Sequence, residues 1–236
     1  MLLAIDIGNT NISFGVFRGR RIIKRFNIPK REYSMRRLKQ LLGRSRLKGC
    51  IICSVVPKAL RKLNSDLTKF LGSRPFVLGR EEKVPIKNLY KKPHEVGQDR
   101  LVNAYAGIIY YGAPLIIVDF GTAITFDVVS MRKEYIGGMI VPGLSVSLDA
   151  LTRTAALLPK IKLEKPKGFI GKDTKSSMIS GIIYGFAALV DDLTRRLKNK
   201  IGGKARVIAT GGNACLVLGY CKTIDKTDKN LTLKGL

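Results

Sequence analysis

Two aspartates sit in the same local setting half a chain apart. In LLAIDIGNTNISFGVF, residues 2–17, an apolar run meets Asp6, Gly8 and Thr10 and then resumes. In LIIVDFGTAITFDVV, residues 115–129, Asp119 and Gly121 repeat Asp6 and Gly8 at an offset of 113, and after a turn one residue shorter Thr125 and Phe126 repeat Ser13 and Phe14. A glycine turn presents backbone N–H groups, and with small hydroxyl and amide side chains beside it can hold phosphate oxygens. A carboxylate next to it can hold the cation that travels with them, because hard cations take oxygen ligands. An ordinary hairpin closed by a capping aspartate would use the same residues, so one copy alone leaves both readings open. The second copy favours chemistry: two similar halves facing each other offer a cleft lined by two turns and two carboxylates.

The elements that position these residues follow from the pattern. Leu2 to Ile7 is apolar and β-branched enough for a buried strand, Gly8 to Asn11 is turn chemistry, and Ile12 to Phe17 alternates as a second strand, which puts Asp6 at a strand end. Arg21 to Asn27 reads as a third strand, Met35, Leu38, Leu41 and Leu42 have helical spacing, and Cys50 to Val56 reads as a buried strand. Pro57 can open a helix with Leu60, Leu63, Leu67, Phe70 and Leu71 on one face. Strand 75–78 and a polar loop 79–96 follow. Three strands and then alternating helices and strands is the order of a ribonuclease-H-like unit. After Pro114 the order restarts with strands 115–119, 124–130 and 135–141, so the expected domains are 1–113 and 114–236 of a duplicated α/β fold.

Other motifs sit at element boundaries, where structure alone could also explain them. In EVGQDRLVNAYAG the residues Leu101, Ala104, Tyr105 and Ile108 form a helical stripe, which makes Gly97-Gln98-Asp99-Arg100 the loop-to-helix junction and Asp99 a natural cap. Gly171-Lys172-Asp173-Thr174 opens a long helix with Thr174 as its expected cap, and Thr210-Gly211-Gly212-Asn213 either contacts a nucleotide or joins strand to helix.

Composition removes several chemistries. His94 is the sole histidine, which excludes His-based triads and His-rich metal sites. Cys50 and Cys53 make a CxxC, but inside CIICSVV they point to opposite faces of a strand, so buried free thiols are expected rather than a disulfide or metal pair. With 236 residues, 45% apolar content, no uninterrupted apolar run of spanning length and no basic leader behind Met1, a soluble cytoplasmic protein without membrane contact is expected. The net charge is +26, and between Arg18 and Lys48 thirteen basic residues face one acid, Glu32. Such a field attracts polyanions, nucleic acid included. No aromatic interleaving or nucleic-acid module accompanies it, which favours a solvated basic face with adventitious nucleic-acid binding at most.

DIGNTNISFGVF, VGQDR, VDFGTAITFDVV, YIGGMIVPGL, RTAALLP, the GKDT helix start and ATGGNA, in this order and over nearly the whole chain, resemble type III pantothenate kinase. The resemblance implies the acetate and sugar kinase, Hsp70 and actin fold, with two ribonuclease-H-like domains and ATP between them. It implies ATP-dependent phosphorylation of pantothenate to 4′-phosphopantothenate, the first step of coenzyme A biosynthesis. By the same resemblance Asp6, Ile7, Gly8, Asn9, Thr10, Asn11, Ile12 and Ser13 form the first ATP-phosphate turn, with Asp6 holding magnesium through water, and Thr122 is the second ATP contact. Asp99 matches the general base, Gly97, Gln98 and Arg100 line the pantothenate site, and Tyr90 helps to close it. Asp119 matches the ligand of a monovalent cation, K⁺ or NH₄⁺, and Thr174 a pantothenate contact supplied across a homodimer. The chain departs from the family in stopping soon after NLTLKGL and in its basicity.

The chemistry agrees with the residues, since phosphoryl transfer needs cations on the developing charge and one carboxylate for the nucleophile, and no histidine. Arg100 suits a substrate carboxylate, which a guanidinium pairs in bidentate fashion. The competing reading is a ribonuclease-H-like metal-dependent nuclease or a nucleic-acid-binding regulator on the same fold. A nuclease needs one such domain with clustered acids, whereas here the glycine-hydroxyl turn is doubled and few other acids lie near either copy.

Overall fold

The computed structural model describes residues 1–236. The chain forms two compact units: residues 1–86, 92–106 and 230–236 in the first, and residues 87–91 and 107–229 in the second. The sequence-based cut at 113/114 differs from this division in three places. Residues 107–113 and the short 87–91 segment pack with the second unit, and the C-terminal residues return to the first.

In the first unit β1 (Leu2–Ile7), β2 (Asn11–Arg18) and β3 (Arg21–Pro29) form an antiparallel meander, and β4 (Gly49–Ser54) and β5 (Phe76–Val77) extend the sheet in parallel, giving the order β3-β2-β1-β4-β5. Leu3, Ile5 and Ile7 of β1 with Ile12, Phe14 and Val16 of β2 send every second side chain to one face. There they pack under Leu38 and Leu42 of α1 (Met35–Leu42) and Leu60, Leu63 and Leu67 of α2 (Pro57–Leu71). Pro57 is the first residue of α2, where its missing N–H costs nothing. β4 ends at Ser54, two residues before the expected Val56, because the Ser54 hydroxyl accepts the Val56 N–H at 3.0 Å and turns the chain out of the ladder. α7 (Leu231–Gly235) lies on the opposite face of this sheet, with Leu233 against Gly15.

The second unit repeats the plan. β6 (Leu115–Phe120), β7 (Ala123–Val129) and β8 (Tyr135–Pro142) are the meander, and β9 (Arg206–Thr210) and β10 (Lys226–Thr227) continue it in parallel, giving β8-β7-β6-β9-β10. Position by position this is the strand order of the first sheet. α4 (Leu144–Thr154) and α5 (Thr174–Lys200) cover the face formed by Ile116, Val118, Phe120, Ile124 and Phe126. α5 is long and apolar enough to cross a membrane by length and composition, although Ser, Gly and Asp residues interrupt its apolar run. Its apolar stripe, from Ile179 through Ile183 to Val190, is spent on this core instead. The other connecting helices are α3 (Gln98–Tyr111) and the single-turn α6 (Ala214–Val217).

Candidate active site

At one end of the first sheet three side chains converge. Asp6 pairs with Ser13 across the antiparallel ladder and with Cys53 across the parallel one, so the three share the face opposite the helical core. Cys53 is fully buried; burial raises its thiol pKa well above normal, and the charges of Asp6 and Asp99 push it further in the same direction. Asp99, from the start of α3, therefore lies within electrostatic reach of the same thiol as Asp6. The turn between β1 and β2 is closed by the Gly8 N–H donating to the Asn11 carbonyl at 3.0 Å, and the Thr10 carbonyl accepts the Lys30 N–H at 2.8 Å. Ile7 and Ile12 flank the turn as a buried register pair, while Asn9, Thr10 and Asn11 are exposed at its tip. A half-buried carboxylate beside hydroxyl and amide oxygens is a hard-oxygen donor set, which fits a divalent ion that keeps part of its water shell.

Asp99 is not a helix cap. α3 begins at Gln98, three residues earlier than the apolar stripe indicates, because the Gly97 carbonyl accepts both the Arg100 and the Leu101 N–H groups at 3.1 and 3.3 Å. Asp99 thus falls in the first turn, where the helix dipole favours an acid, and its Oδ1 accepts the Arg100 N–H at 2.9 Å. Burial raises the Asp99 carboxyl above its ordinary value, opposed by that N–H and by the Arg100 charge. Gly97 has a spatial reason to be glycine: a Cβ there would stand 2.5 Å from Asp99 Oδ1. Gln98 lies over Gly79, whose φ of +85° and whose missing Cβ, otherwise 2.8 Å from the Gln98 amide carbon, make room for it. Arg100 is buried.

In the second unit Asp119 takes the place of Asp6, paired with Thr125 on one side and Thr210 on the other. Its turn is closed by the Gly121 N–H donating to the Ala123 carbonyl at 3.1 Å, and the exposed Thr122 gives its carbonyl to the Gly143 N–H at 3.0 Å. Gly211, at φ +94°, presses its backbone against the Asp119 carboxylate: a Cβ there would lie 2.5 Å from Oδ1. A half-buried carboxylate beside two glycine turns is an oxygen donor that can hold a cation.

Tyr90 lies against β8, its ring 6.4 Å from that of Tyr135. Thr174 is exposed at the first position of α5, on the helix that packs against the other face of the sheet from Asp119. It is not the cap: Asp173 accepts the Ser176 N–H at 2.8 Å while the Ser176 hydroxyl accepts the Asp173 N–H at 3.1 Å, a reciprocal box that leaves Thr174 nothing to satisfy. The structure therefore brings together Asp6, the first turn and residues 97–100 in one unit, and Asp119 with Thr122 in the other; Tyr90 and Thr174 stand at separate points of the second unit. Sequence reasoning missed Cys53 as the neighbour of both carboxylates, and the buried pair Asp127 and Tyr135.

The type III pantothenate kinase family model matches residues 2–196. The chain belongs to the type III pantothenate kinase family. It is 42% identical over 247 aligned positions to a type III pantothenate kinase of Moorella thermoacetica, covering all of this chain and 97% of that one. Solved structures with the same fold include a putative Baf family transcriptional activator from Campylobacter jejuni, with a TM-score of 0.63, 19% identity and coverage of 99% of this chain and 94% of that one. The activator of the 2-hydroxyisocaproyl-CoA dehydratase from Clostridium difficile matches with a TM-score of 0.57, 12% identity and coverage of 99% and 90%. The two mixed sheets with helices are the duplicated α/β fold of acetate and sugar kinases, Hsp70 and actin, and the family places the chain among the phosphotransferases. All four cysteines are free thiols, with Cys50 in the helical core and Cys53 on the opposite face, as their strand parity requires.

Proposed function

We infer that this protein uses ATP and a divalent metal to phosphorylate pantothenate to 4′-phosphopantothenate, the first step of coenzyme A biosynthesis. The observation that carries the reading is the convergence of Asp6 and Asp99 on Cys53 in a chain of the type III pantothenate kinase family. The turn from Asp6 through Ile7, Gly8, Asn9, Thr10, Asn11 and Ile12 to Ser13 holds the ATP phosphates, with Thr122 as a second contact. Asp6 would hold magnesium through water, and the ion would supply positive charge to the transferred group. Asp99 orients the pantothenate hydroxyl and accepts its proton; a carboxyl raised by burial is the stronger base for this task. Arg100 pairs with the substrate carboxylate, Gly97 and Gln98 line the same pocket, and Tyr90 closes it. Asp119 would hold K⁺ or NH₄⁺.

The functional protein is a cytoplasmic homodimer in which Thr174 completes the partner's pocket. Support comes from the apolar side chains left in solvent on the second unit: Ile140 at 63%, Leu157 at 94%, Phe169 at 71% and Ile170 at 79% exposure, the last two just before Thr174. The basic segment 18–48 is a solvated face, with twelve of its thirteen cations exposed and only Arg31 and Arg37 in ion pairs, both with Glu32. Nucleic-acid contact there is adventitious.

The test is incubation with ATP, magnesium and pantothenate followed by mass spectrometry, which should show 4′-phosphopantothenate. ADP release without that product, or magnesium-dependent cleavage of RNA or DNA, would overturn the reading.

A further inference from the structure

β8 is the edge strand of the second sheet, and an edge offers unpaired backbone groups to any passing segment. Residues 87–91 take that position. The Tyr135 N–H donates to the Lys87 carbonyl at 2.9 Å, and the Leu89 N–H donates to the Tyr135 carbonyl at 2.8 Å. The Asn88 amide oxygen accepts the Tyr90 N–H at 2.9 Å, and Lys87 pairs with Glu134 at 2.7 Å. The Tyr90 ring then rests near bare backbone at Gly137, whose φ is +130° and whose Cβ, if present, would lie 3.8 Å from two ring carbons. The backbone bonds and the ring contact that orient Tyr90 thus converge on Tyr135 and its neighbours.

Tyr135 is itself anchored in an unusual way. It pairs with Val129 just past the point where the β7–β8 register slips, the slip leaving its neighbour Ile136 without a partner in the ladder. Tyr135 is wholly buried, and its hydroxyl donates to Asp127 Oδ1 at 2.9 Å. Asp127, also wholly buried, receives the Thr125 hydroxyl on Oδ2 at 3.0 Å, and Thr125 is the cross-strand partner of Asp119. A buried carboxylate is costly, and for stability alone well-packed apolar side chains do as well. What the pair adds is a fixed location for one tyrosine backbone.

We propose that Asp127 and Tyr135 are positioning residues for pantothenate: their buried hydrogen bond fixes the backbone on which residues 87–91 dock, and so places Tyr90 against the substrate. The inference rests on the pantothenate kinase reading and on Tyr90 closing the pocket. It makes substrate affinity depend on a hydroxyl that never touches substrate.

Tyr135→Phe removes the hydroxyl and keeps the ring. The KM for pantothenate should rise about tenfold, the effect of losing one hydrogen bond to a charged group, while the KM for ATP and kcat stay within about twofold. Because Tyr135 acts through Tyr90, the same substitution in a Tyr90→Ala background should add little to the KM for pantothenate, and the confinement of the effect to that KM is what a merely structural role would not produce. Asn88→Ala, a change in a half-buried loop residue, should reproduce the selective rise in KM and decides the matter if Tyr135→Phe does not fold. Equal losses in both KM values, kcat and melting temperature, or fully additive effects with Tyr90→Ala, would overturn the proposal. Wild-type protein that makes no 4′-phosphopantothenate defeats the kinase reading; active wild type with an indistinguishable Tyr135→Phe defeats this inference alone.

Discussion

Gly97→Ala is the substitution that tests the catalytic geometry most directly, because it adds one methyl group and changes no charge. The new Cβ would stand 2.5 Å from Asp99 Oδ1, whereas the next neighbour, Val55 Cγ1, is at a comfortable 3.6 Å. Ordinary contact begins at 3.4 Å, so the carboxylate must retreat by about 1 Å and give up its bond to the Arg100 N–H. The end of an aspartate side chain moves cheaply, and Gly97 has no positive φ that would strain an alanine, so the fold should survive. The melting temperature should stay within roughly 3 °C, the equivalent of about 1 kcal/mol in a chain of this size. Catalysis should not survive as well: a 1 Å misplacement of a reacting group costs on the order of 10²-fold. Turnover measured by ADP release coupled to pantothenate, at saturating ATP, gives the result. Turnover within twofold of wild type, alongside an inactive Asp99→Asn, would refute the reasoning, because the room that the bare Gly97 leaves for that carboxylate would then not matter.

Asp99→Asn should lower kcat by about 10²- to 10⁴-fold, the usual worth of a general base, with ATP affinity retained. It should leave the melting temperature at pH 7 equal or higher: burial raises the Asp99 carboxyl, so the folded state holds its proton more tightly than the unfolded state, and the ionised group is a cost above that pKa which acidification relieves. The same raised carboxyl should appear as the acid limb of the pH profile of kcat/KM, activity falling as pH drops through a value above the normal aspartate range; a limb at the ordinary value would remove Asp99 as the base. Mixing Asp99→Asn protein with Thr174→Ala protein, each poorly active alone, should restore activity once subunits exchange, since a mixed dimer holds one intact pocket; a dead mixture with confirmed exchange would place Thr174 in its own chain's site.

The fold was legible because its signals are local and occur twice. Alternation in 2–17 and 115–129 gives the strands, Gly8 and Gly121 give the turns, and the same registers, Asp6 with Ser13 and Asp119 with Thr125, come from turn length alone. Element ends were less legible because backbone groups decide them: the Gly97 carbonyl starts α3 before its apolar stripe begins, and Ser176 lets Asp173 outcompete Thr174 as the cap. Least visible were contacts between distant segments. Nothing in the run of residues 75–98 indicates that Gly79 is bare for Gln98, or that five residues of the polar loop pair with a strand more than forty positions later. Asp127 was hidden for another reason, since an acid inside an apolar strand looks like an exposed position of an alternating one.

The duplication also shows how one motif serves two cations on the proposed reading. Both aspartates stand one residue from the end of the central strand of a five-stranded sheet, yet their parallel neighbours differ: Cys53 beside Asp6, Thr210 beside Asp119. After Thr210 the chain turns at Gly211, which folds its backbone onto the Asp119 carboxylate. After Cys53 the chain instead runs through Ser54 to Pro57 and α2, and no glycine backbone is pressed on Asp6 in this way. Asp6 thereby keeps room for the water shell that magnesium gives up reluctantly, while Gly211 crowds one side of Asp119, both carboxylates being half-buried. On that reading a division of labour between two copies of one sequence pattern would reside in the few residues just past the neighbouring parallel strand, a segment that neither copy contains.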